Sequence, residues 1–209
     1  IRLLEKAVSD IPPTVTQRER KQPLDYMPRS LTLHRDTHQA HVMIGCRGYD
    51  AHNSKRTALY LLNNILGGPG MNSRLNVALR ERSGLVYNVE ANLISYTDTG
   101  VFSIYFGTDQ SDVERCIRLV HKELKRLREK PLSAAQLAAA KKQIIGQIGV
   151  AADNHENMAL DMGKTFLHYG SYKGPQEVFG RIHSLTPQEL WEVANELFCE
   201  ENLSTLIYQ

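Results

Sequence analysis

The sequence has little cysteine and no marked excess of either charge. Its 209 residues include three cysteines, Cys46, Cys116 and Cys199, which lie far apart in apolar surroundings, so we expect buried free thiols. The 25 Lys and Arg residues are scattered among 23 Asp and Glu, and no basic stripe for nucleic acid emerges. No apolar run approaches the ~20 residues that cross a bilayer, so no membrane span is predicted.

Several catalytic motifs are also missing. Neither H-E-x-x-H nor H-x-x-E-H occurs, which excludes a self-contained zinc peptidase of either common type. The stretch LGGPG (66–70) lacks a following Lys-Ser or Lys-Thr and comes after a helical pattern, so it is not a phosphate-binding P-loop. There is no G-x-S-x-G nucleophile motif. The chain starts inside a helical pattern without Met, which suggests a fragment, and its localisation cannot be read.

Three histidines are close together in LTLHRDTHQAHVMIGCRG, namely His34, His38 and His41. Two strand-forming runs surround the polar centre at 36–39, so we predict a hairpin. In that hairpin His34 and His41 would face each other, and they could share a metal if a third ligand came from elsewhere. The alternative, which we favour, is solvated polar residues at a hairpin tip.

The predicted elements run strand, strand, helix, helix, strand, strand, helices, strand. Tight turns between paired strands predict an α+β fold, a two-layer domain with a largely antiparallel sheet and helices packed on one face. Residues 1–29 are predicted to be the end of a preceding helix and an inter-domain linker, and residues 30–209 the domain. Ser111, Ser133 and Thr186 are predicted helix starts, since Glu or Gln follows each three residues later.

Arg80 and Tyr87 flank a predicted helix end at Gly84. Arg80 is off the apolar stripe of its helix, and Tyr87 is three residues into the next strand, so the two side chains could share a rim. There Arg could bind peptide carbonyls or a carboxylate, and the phenol could donate to an oxyanion. Two other interpretations stay open. Arg80 suits a helix C-terminus, and the alternation of Leu85, Tyr87 and Val89 places Tyr87 in the core.

The block LGGPGMNSRLNVALRERSGLVYNVEA resembles a signature of the pitrilysin and mitochondrial processing peptidase family of zinc metallopeptidases. QAHVMIGCRGYD, KPLSAAQLAAAKKQIIGQI, ENMALDMGKTFLHYG and IHSLTPQELWEVANELFCEENLSTLIY resemble further family blocks in the same order, over about residues 30–208. The resemblance is to the C-terminal domain. It implies that Zn²⁺ of the whole enzyme is bound by H-x-x-E-H in an N-terminal domain or partner subunit, with no zinc ligand in these residues.

The resemblance also implies roles for named residues. Arg80 would position a peptide substrate, and Tyr87 would stabilise the tetrahedral intermediate. Gly67, Gly68 and Gly70 would contact the peptide, although a helix–helix turn with positive φ explains these glycines equally well. The implied function is the substrate-binding half of a metalloendopeptidase. The alternative is a non-catalytic structural or assembly subunit of the same fold.

Overall fold

A computed structural model describes residues 1–12, 21, 23–35, 37–172 and 174–209. The helices of the described chain are α1 Arg2–Val8, α2 Arg56–Gly67, the π-helix π1 Asn76–Glu81, α3 Val113–Glu129, α4 Ala134–Ala152, α5 His155–Tyr169, α6 Pro175–Ser184 and α7 Pro187–Leu197. The strands are β1 Ser30–Leu33, β2 Ala40–Gly48, β3 Val86–Ser95, β4 Gly100–Thr108 and β5 Ser204–Tyr208.

The strands form one sheet in the order β1-β5-β2-β4-β3. The pairs β2–β4, β3–β4 and β2–β5 are antiparallel, and only the β1–β5 pair is parallel. The prediction of a largely antiparallel sheet is therefore confirmed. Strand β3, which carries Tyr87, is an edge strand, so its outer side is available to the segments that build the candidate site.

The predicted hairpin between the first two strands is wrong. Strand β5 lies between them, with Leu33 and His41 both opposite Tyr208 on its two sides. The closing strand supplies hydrogen bonds to both neighbours, and no local pattern reveals such a long-range pairing. His34 and His41 therefore do not face each other across a strand pair, so they are not placed to share a metal ion in the way the hairpin would have allowed. His41 Nδ1 instead lies 2.8 Å from the hydroxyl of Tyr105 on β4.

Helices cover one face of the sheet, as predicted. Alternate residues of β2 and β4 are buried toward them, among them Ile44, Phe102 and Phe106. Helices α2 and α7 pack against β3 and β2, and α3, α4 and α6 pack in turn against those helices. The opposite face leaves Met43 and Leu206 exposed. The result is the two-layer α+β domain expected from the order of elements.

Two of the three predicted helix starts are confirmed. Ser133 with Gln136 and Thr186 with Glu189 form reciprocal capping boxes, in which each side chain bonds the other residue's backbone N–H. The start at Ser111 is wrong, because a 3₁₀ turn covers Gln110–Asp112 and α3 begins at Val113 without a side-chain cap. Within the described residues, no helix combines the length and apolar content that a bilayer crossing requires.

The cysteines are free thiols, as predicted. Cys46 and Cys116 are buried, whereas Cys199 is half-buried at the end of α7. The Cys116 Sγ lies 3.5 Å from the hydroxyl of Thr108, and the Cys199 Sγ donates to the carbonyl of Asn195 at 3.0 Å. The two buried thiols thus behave as small apolar core residues.

Candidate functional site

The helix that carries Arg80 widens into a π turn. Residues 74–75 are α-helical, and π1 follows from Asn76 to Glu81, with the Arg82 N–H donating to the Val77 carbonyl five residues earlier at 3.0 Å. Periodicity predicted only an ordinary helix here. Such π segments often occur at functional sites, because the extra residue shifts the side chains that follow. In π1, Leu79 is buried and Arg80 is exposed.

Gly84 ends this helix, as predicted, in a left-handed conformation with φ of 61°. Its N–H donates to the Arg80 carbonyl, and the Leu85 N–H donates to the Leu79 carbonyl, each at 2.9 Å. The two nested bonds are each one residue wider than those of a Schellman motif, in keeping with the π turn before them, and the residue without Cβ again satisfies late helical carbonyls. The chain consequently passes from Arg80 into β3 within a few residues.

A β-bulge decides where Tyr87 points. Val86 lies opposite Thr108, and Val89 lies opposite Phe106, so three steps on β3 match two steps on β4. The extra residue leaves both Val86 and Val89 buried and turns the two residues between them outward. Tyr87 is 87% exposed. The interpretation of Tyr87 as a core residue, which assumed unbroken alternation, is therefore wrong.

The π turn, the glycine and the bulge bring Arg80 and Tyr87 together. The guanidinium carbon of Arg80 lies 5.9 Å from the centre of the Tyr87 ring, within the range of a cation–π contact. Arg80 Nε also lies 3.7 Å from Glu81 Oε1, a partly exposed ion pair that contributes little stability. Among the described residues, none hydrogen-bonds the Tyr87 hydroxyl, which leaves that O–H available to a ligand.

An open groove of about 510 Å³ adjoins the pair. Its walls come from the C-terminal part of α2, the glycine-rich turn, π1, β3 and α4. Arg80, Gly67 and Gly68 line it, whereas Gly70 and Tyr87 do not. The other lining residues are the neutral polar Tyr60, Asn63, Asn64, Asn76, Asn88, Asn92 and Gln147, the apolar Pro69, Met71, Val89, Ala91, Ile148 and Ala151, and the carboxylate Glu90.

Gly67 is required for close packing. A Cβ at this position would lie 2.5 Å from the backbone nitrogen of Ala91 and 2.8 Å from its Cβ. At Gly68 a Cβ would lie 2.7 Å from the carbonyl oxygen of Asn64, and at Gly70 it would lie 2.5 Å from the side-chain oxygen of Asn72. None of these three glycines has positive φ, so the predicted positive-φ turn is wrong. The missing side chain of Gly67 instead allows the end of α2 to lie against β3, while those of Gly68 and Gly70 leave room for Asn64 and Asn72.

Two amide pairs hold the glycine-rich turn to α4, and the sequence did not reveal them. Asn64 Nδ2 donates to Gln147 Oε1 at 2.7 Å, and Asn72 Nδ2 donates to Gln143 Oε1 at 2.9 Å. Asn64 is buried although it lies on a helix whose buried face is otherwise apolar apart from Gly67. A lone amide in such a position is the signal that could have identified the first pair, because buried amides need partners.

The described residues do not fit a zinc site. They contain no group of three or more His, Cys, Asp or Glu side chains that could hold a metal ion. Beside the Arg80–Tyr87 pair the one carboxylate given as a contact is that of Glu81, which is paired with Arg80, and a single carboxylate does not make a zinc site.

A family model described as the peptidase M16 inactive domain matches residues 1–144. The chain belongs to this peptidase M16 family. The crystal structure of a peptidase M16 inactive domain from Pseudomonas fluorescens superposes on 99% of the chain with a TM-score of 0.87 and 18% identity, over 50% of its own length. The resemblance identified in the sequence is thus confirmed, and so is the fold.

Curated relatives of this M16 domain are zinc proteases. An uncharacterized zinc protease of Bacillus subtilis is 28% identical over 183 residues, which cover 88% of this chain and 44% of the relative. An uncharacterized zinc protease of Streptomyces coelicolor is 31% identical over 163 residues, which cover 78% of this chain and 35% of the relative. The chain therefore spans less than half the length of these relatives.

Proposed function

We propose that this M16 inactive domain is the substrate-binding half of a zinc-dependent metalloendopeptidase. The zinc ion and its ligands would belong to another domain or a partner subunit, as the coverage of the relatives favours. The observation that carries the proposal is the Arg80–Tyr87 contact at the groove, since two local irregularities of the backbone are needed to create it. A purely structural surface would not need either irregularity.

Arg80 and Tyr87 have complementary roles in this proposal. The planar guanidinium of Arg80 donates to carbonyl or carboxylate oxygens of a bound peptide and fixes its position. The phenol of Tyr87 donates to the oxyanion that forms at the scissile carbonyl, where a preorganised donor is most effective.

The groove supports a peptide as the ligand. Its amide side chains can donate to and accept from peptide backbone groups, and burial raises the pKa of the Tyr60 hydroxyl, which keeps it a neutral donor. Gly67 and Gly68 line the groove and would contact the peptide there, and Gly70 would contact it at the outer end. We assign residues 1–29 to the connection with the zinc-binding half and residues 30–209 to this domain.

The decisive experiment is Tyr87→Phe in the complete protein, measured with a peptide substrate. Loss of an oxyanion donor should lower kcat about 10²-fold and change KM little. Tyr96→Phe is the matched control, because Tyr96 is also exposed and follows the end of β3. An unchanged kcat would refute the catalytic role. If the complete protein cleaved no peptide at all, the alternative of a structural or assembly subunit would replace the proposal.

A further inference from the structure

A second cavity lies on another side of the helix that carries Arg80. Its volume is about 350 Å³, and it is lined by Asn72, Arg74, Val77, Ala78, Arg82, Glu123, Arg126 and Gln136. The positions 74, 78 and 82 recur every four residues and so share one side of this helix. Glu123 and Arg126 come from α3, and Gln136 comes from the first turn of α4. Three helices therefore meet around one concave surface.

The charges that line this cavity do not balance. Glu123 is the single carboxylate in the lining, with a side chain that is only 8% exposed, and Arg126 binds it at 2.5 Å. The side chains of Arg74 and Arg82 form no hydrogen bond or ion pair with any described residue. The lining thus carries two more arginines than carboxylates, with Arg74 half-buried and Arg82 exposed. Partly buried charges such as that of Arg74 are usually paired.

The surroundings of Arg74 disfavour its positive charge. Burial lowers the pKa of its guanidinium, and the positive charge of Arg126 lowers it further, while Glu123 acts in the opposite direction. Arginine nevertheless remains protonated in proteins. An anion placed between the guanidinium groups would therefore remove an unfavourable interaction and also form charge-assisted hydrogen bonds.

We propose that this second cavity binds an oxyanion, a carboxylate or a phosphate group, between the guanidinium groups of Arg74, Arg82 and Arg126. The guanidinium forks match the geometry of both groups. Gln136 adds a neutral donor, because its Oε1 already accepts from the Ser133 N–H and its Nε2 is left to donate. Arg126 keeps most of its N–H donors after binding Glu123 through Nη1.

This site is separate from the groove beside Arg80 and Tyr87, since Arg80 does not line it. Its test requires no peptidase activity and so can fail independently of the proposed function. The cavity has room for about ten waters at ~30 Å³ each, which suits an oxyanion that is part of a larger molecule. The candidate sources are a free phosphate and a carboxylate carried by a peptide.

The test is a titration of the 209-residue chain with inorganic phosphate and, separately, with acetate, at constant ionic strength. Arginine Nε–H resonances report binding by NMR, which detects weak affinities. Saturable shifts of the Arg74 and Arg82 signals are expected with at least one of the two anions. Arg82→Gln should weaken this binding about tenfold, the loss typical of one or two charge-assisted hydrogen bonds. Tighter binding of phosphate would identify a phosphate ligand, and tighter binding of acetate a carboxylate.

Arg118→Gln is the matched control, since Arg118 is an exposed arginine of α3 that pairs with Glu114 at 3.6 Å and lies outside the cavity. It should bind as the unmodified chain does. Arg74→Gln is a second test, provided that its melting temperature shows that it folds. If it does not fold, Arg82→Gln is sufficient, because Arg82 is exposed and its substitution should not prevent folding. Absence of saturable shifts with both anions, or equal weakening by Arg118→Gln, would overturn the proposal.

Discussion

The guanidinium carbon of Arg80 lies 5.9 Å above the ring of Tyr87, and both side chains face solvent. The contact joins the end of a π-helix to a bulged strand, and Gly84 makes the connection short. Each irregularity acts on one member of the pair. The π turn shifts Arg80 relative to an ordinary helix, and the bulge turns Tyr87 out of the core.

The exposure of Tyr87 predicts a small effect on stability. Tyr87→Ala should change the free energy of unfolding by less than about 0.5 kcal/mol, as for other exposed positions. Phe106→Ala, on the neighbouring strand and fully buried, should cost about 3–5 kcal/mol. Urea denaturation of both variants measures the difference. A loss above ~2 kcal/mol for Tyr87→Ala would show that Tyr87 is buried in the core and would contradict the outward direction that the bulge explains.

Arg80→Gln should affect binding more than the chemical step. If Arg80 positions the peptide equally in the ground state and the transition state, the substitution raises KM about tenfold and leaves kcat nearly unchanged. Steady-state kinetics of the complete protein separate the two constants. Arg118→Gln serves as the control for a lost surface charge. A fall in kcat at constant KM would show that Arg80 acts in the transition state instead.

Gly67→Ala should destabilise the domain by about 1–3 kcal/mol, because the new methyl group would overlap the backbone of β3. Gly146→Ala is expected to have the opposite effect on stability. Gly146 lies within α4 with no atom within 4 Å of an added Cβ, so alanine should stabilise the chain by about 0.5–1 kcal/mol. Thermal unfolding compares the two. Equal effects would contradict the close approach of the turn to β3.

The buried thiol of Cys46 predicts a pH dependence of stability. Burial raises the pKa of this thiol from 9.0 to about 12. Below pH 9 the Cys46 thiol is protonated in both the folded and the unfolded chain, so its full contribution to stability is present. Between pH 9 and about 12 the unfolded chain loses the proton first, so stability falls as the pH rises. The expected loss at about pH 10.5 is about 2 kcal/mol.

Urea midpoints at about pH 8 and about pH 10.5 measure this dependence. Cys46→Ala should remove about 2 kcal/mol of the loss, whereas Cys199→Ala, at a half-buried position, should keep it. The comparison within each variant cancels any cavity left by the substitution. If the unmodified chain and Cys46→Ala lost the same stability between these two pH values, the Cys46 thiol would ionise in the folded state as readily as in the unfolded one.

Local sequence signals predicted much of the framework. The capping boxes at Ser133 and Thr186 and the helix end at Gly84 were predicted correctly, because each depends on atoms within a few residues. The same rule failed at Ser111, where a 3₁₀ turn displaced the start of the helix. Short-range hydrogen bonding thus explains both the successes and this failure, since a competing local turn can use the same groups.

The candidate site required distant contacts. Residues as far apart as Asn64 and Gln147 are joined by one hydrogen bond, and Arg74 meets Arg126 only because two helices pack together. The choice of Arg80 and Tyr87 came from the family resemblance, while the alternation of the strand argued against Tyr87. Only the register of β3 against β4 resolved this conflict, and that register is fixed by the packing of Val86 and Val89 in the core.

By itself the sequence determined the α+β class, the free thiols and the helix starts at Ser133 and Thr186, since these follow from composition, periodicity and short motifs. The family was identified by resemblance to known sequence blocks. Tertiary structure alone decided the insertion of β5 between β1 and β2, the outward direction of Tyr87, the glycine-rich turn against β3 and the arginine-lined cavity. The physical reason is the same in each case. These features depend on which distant surfaces pack together, and no local pattern of residues contains that information.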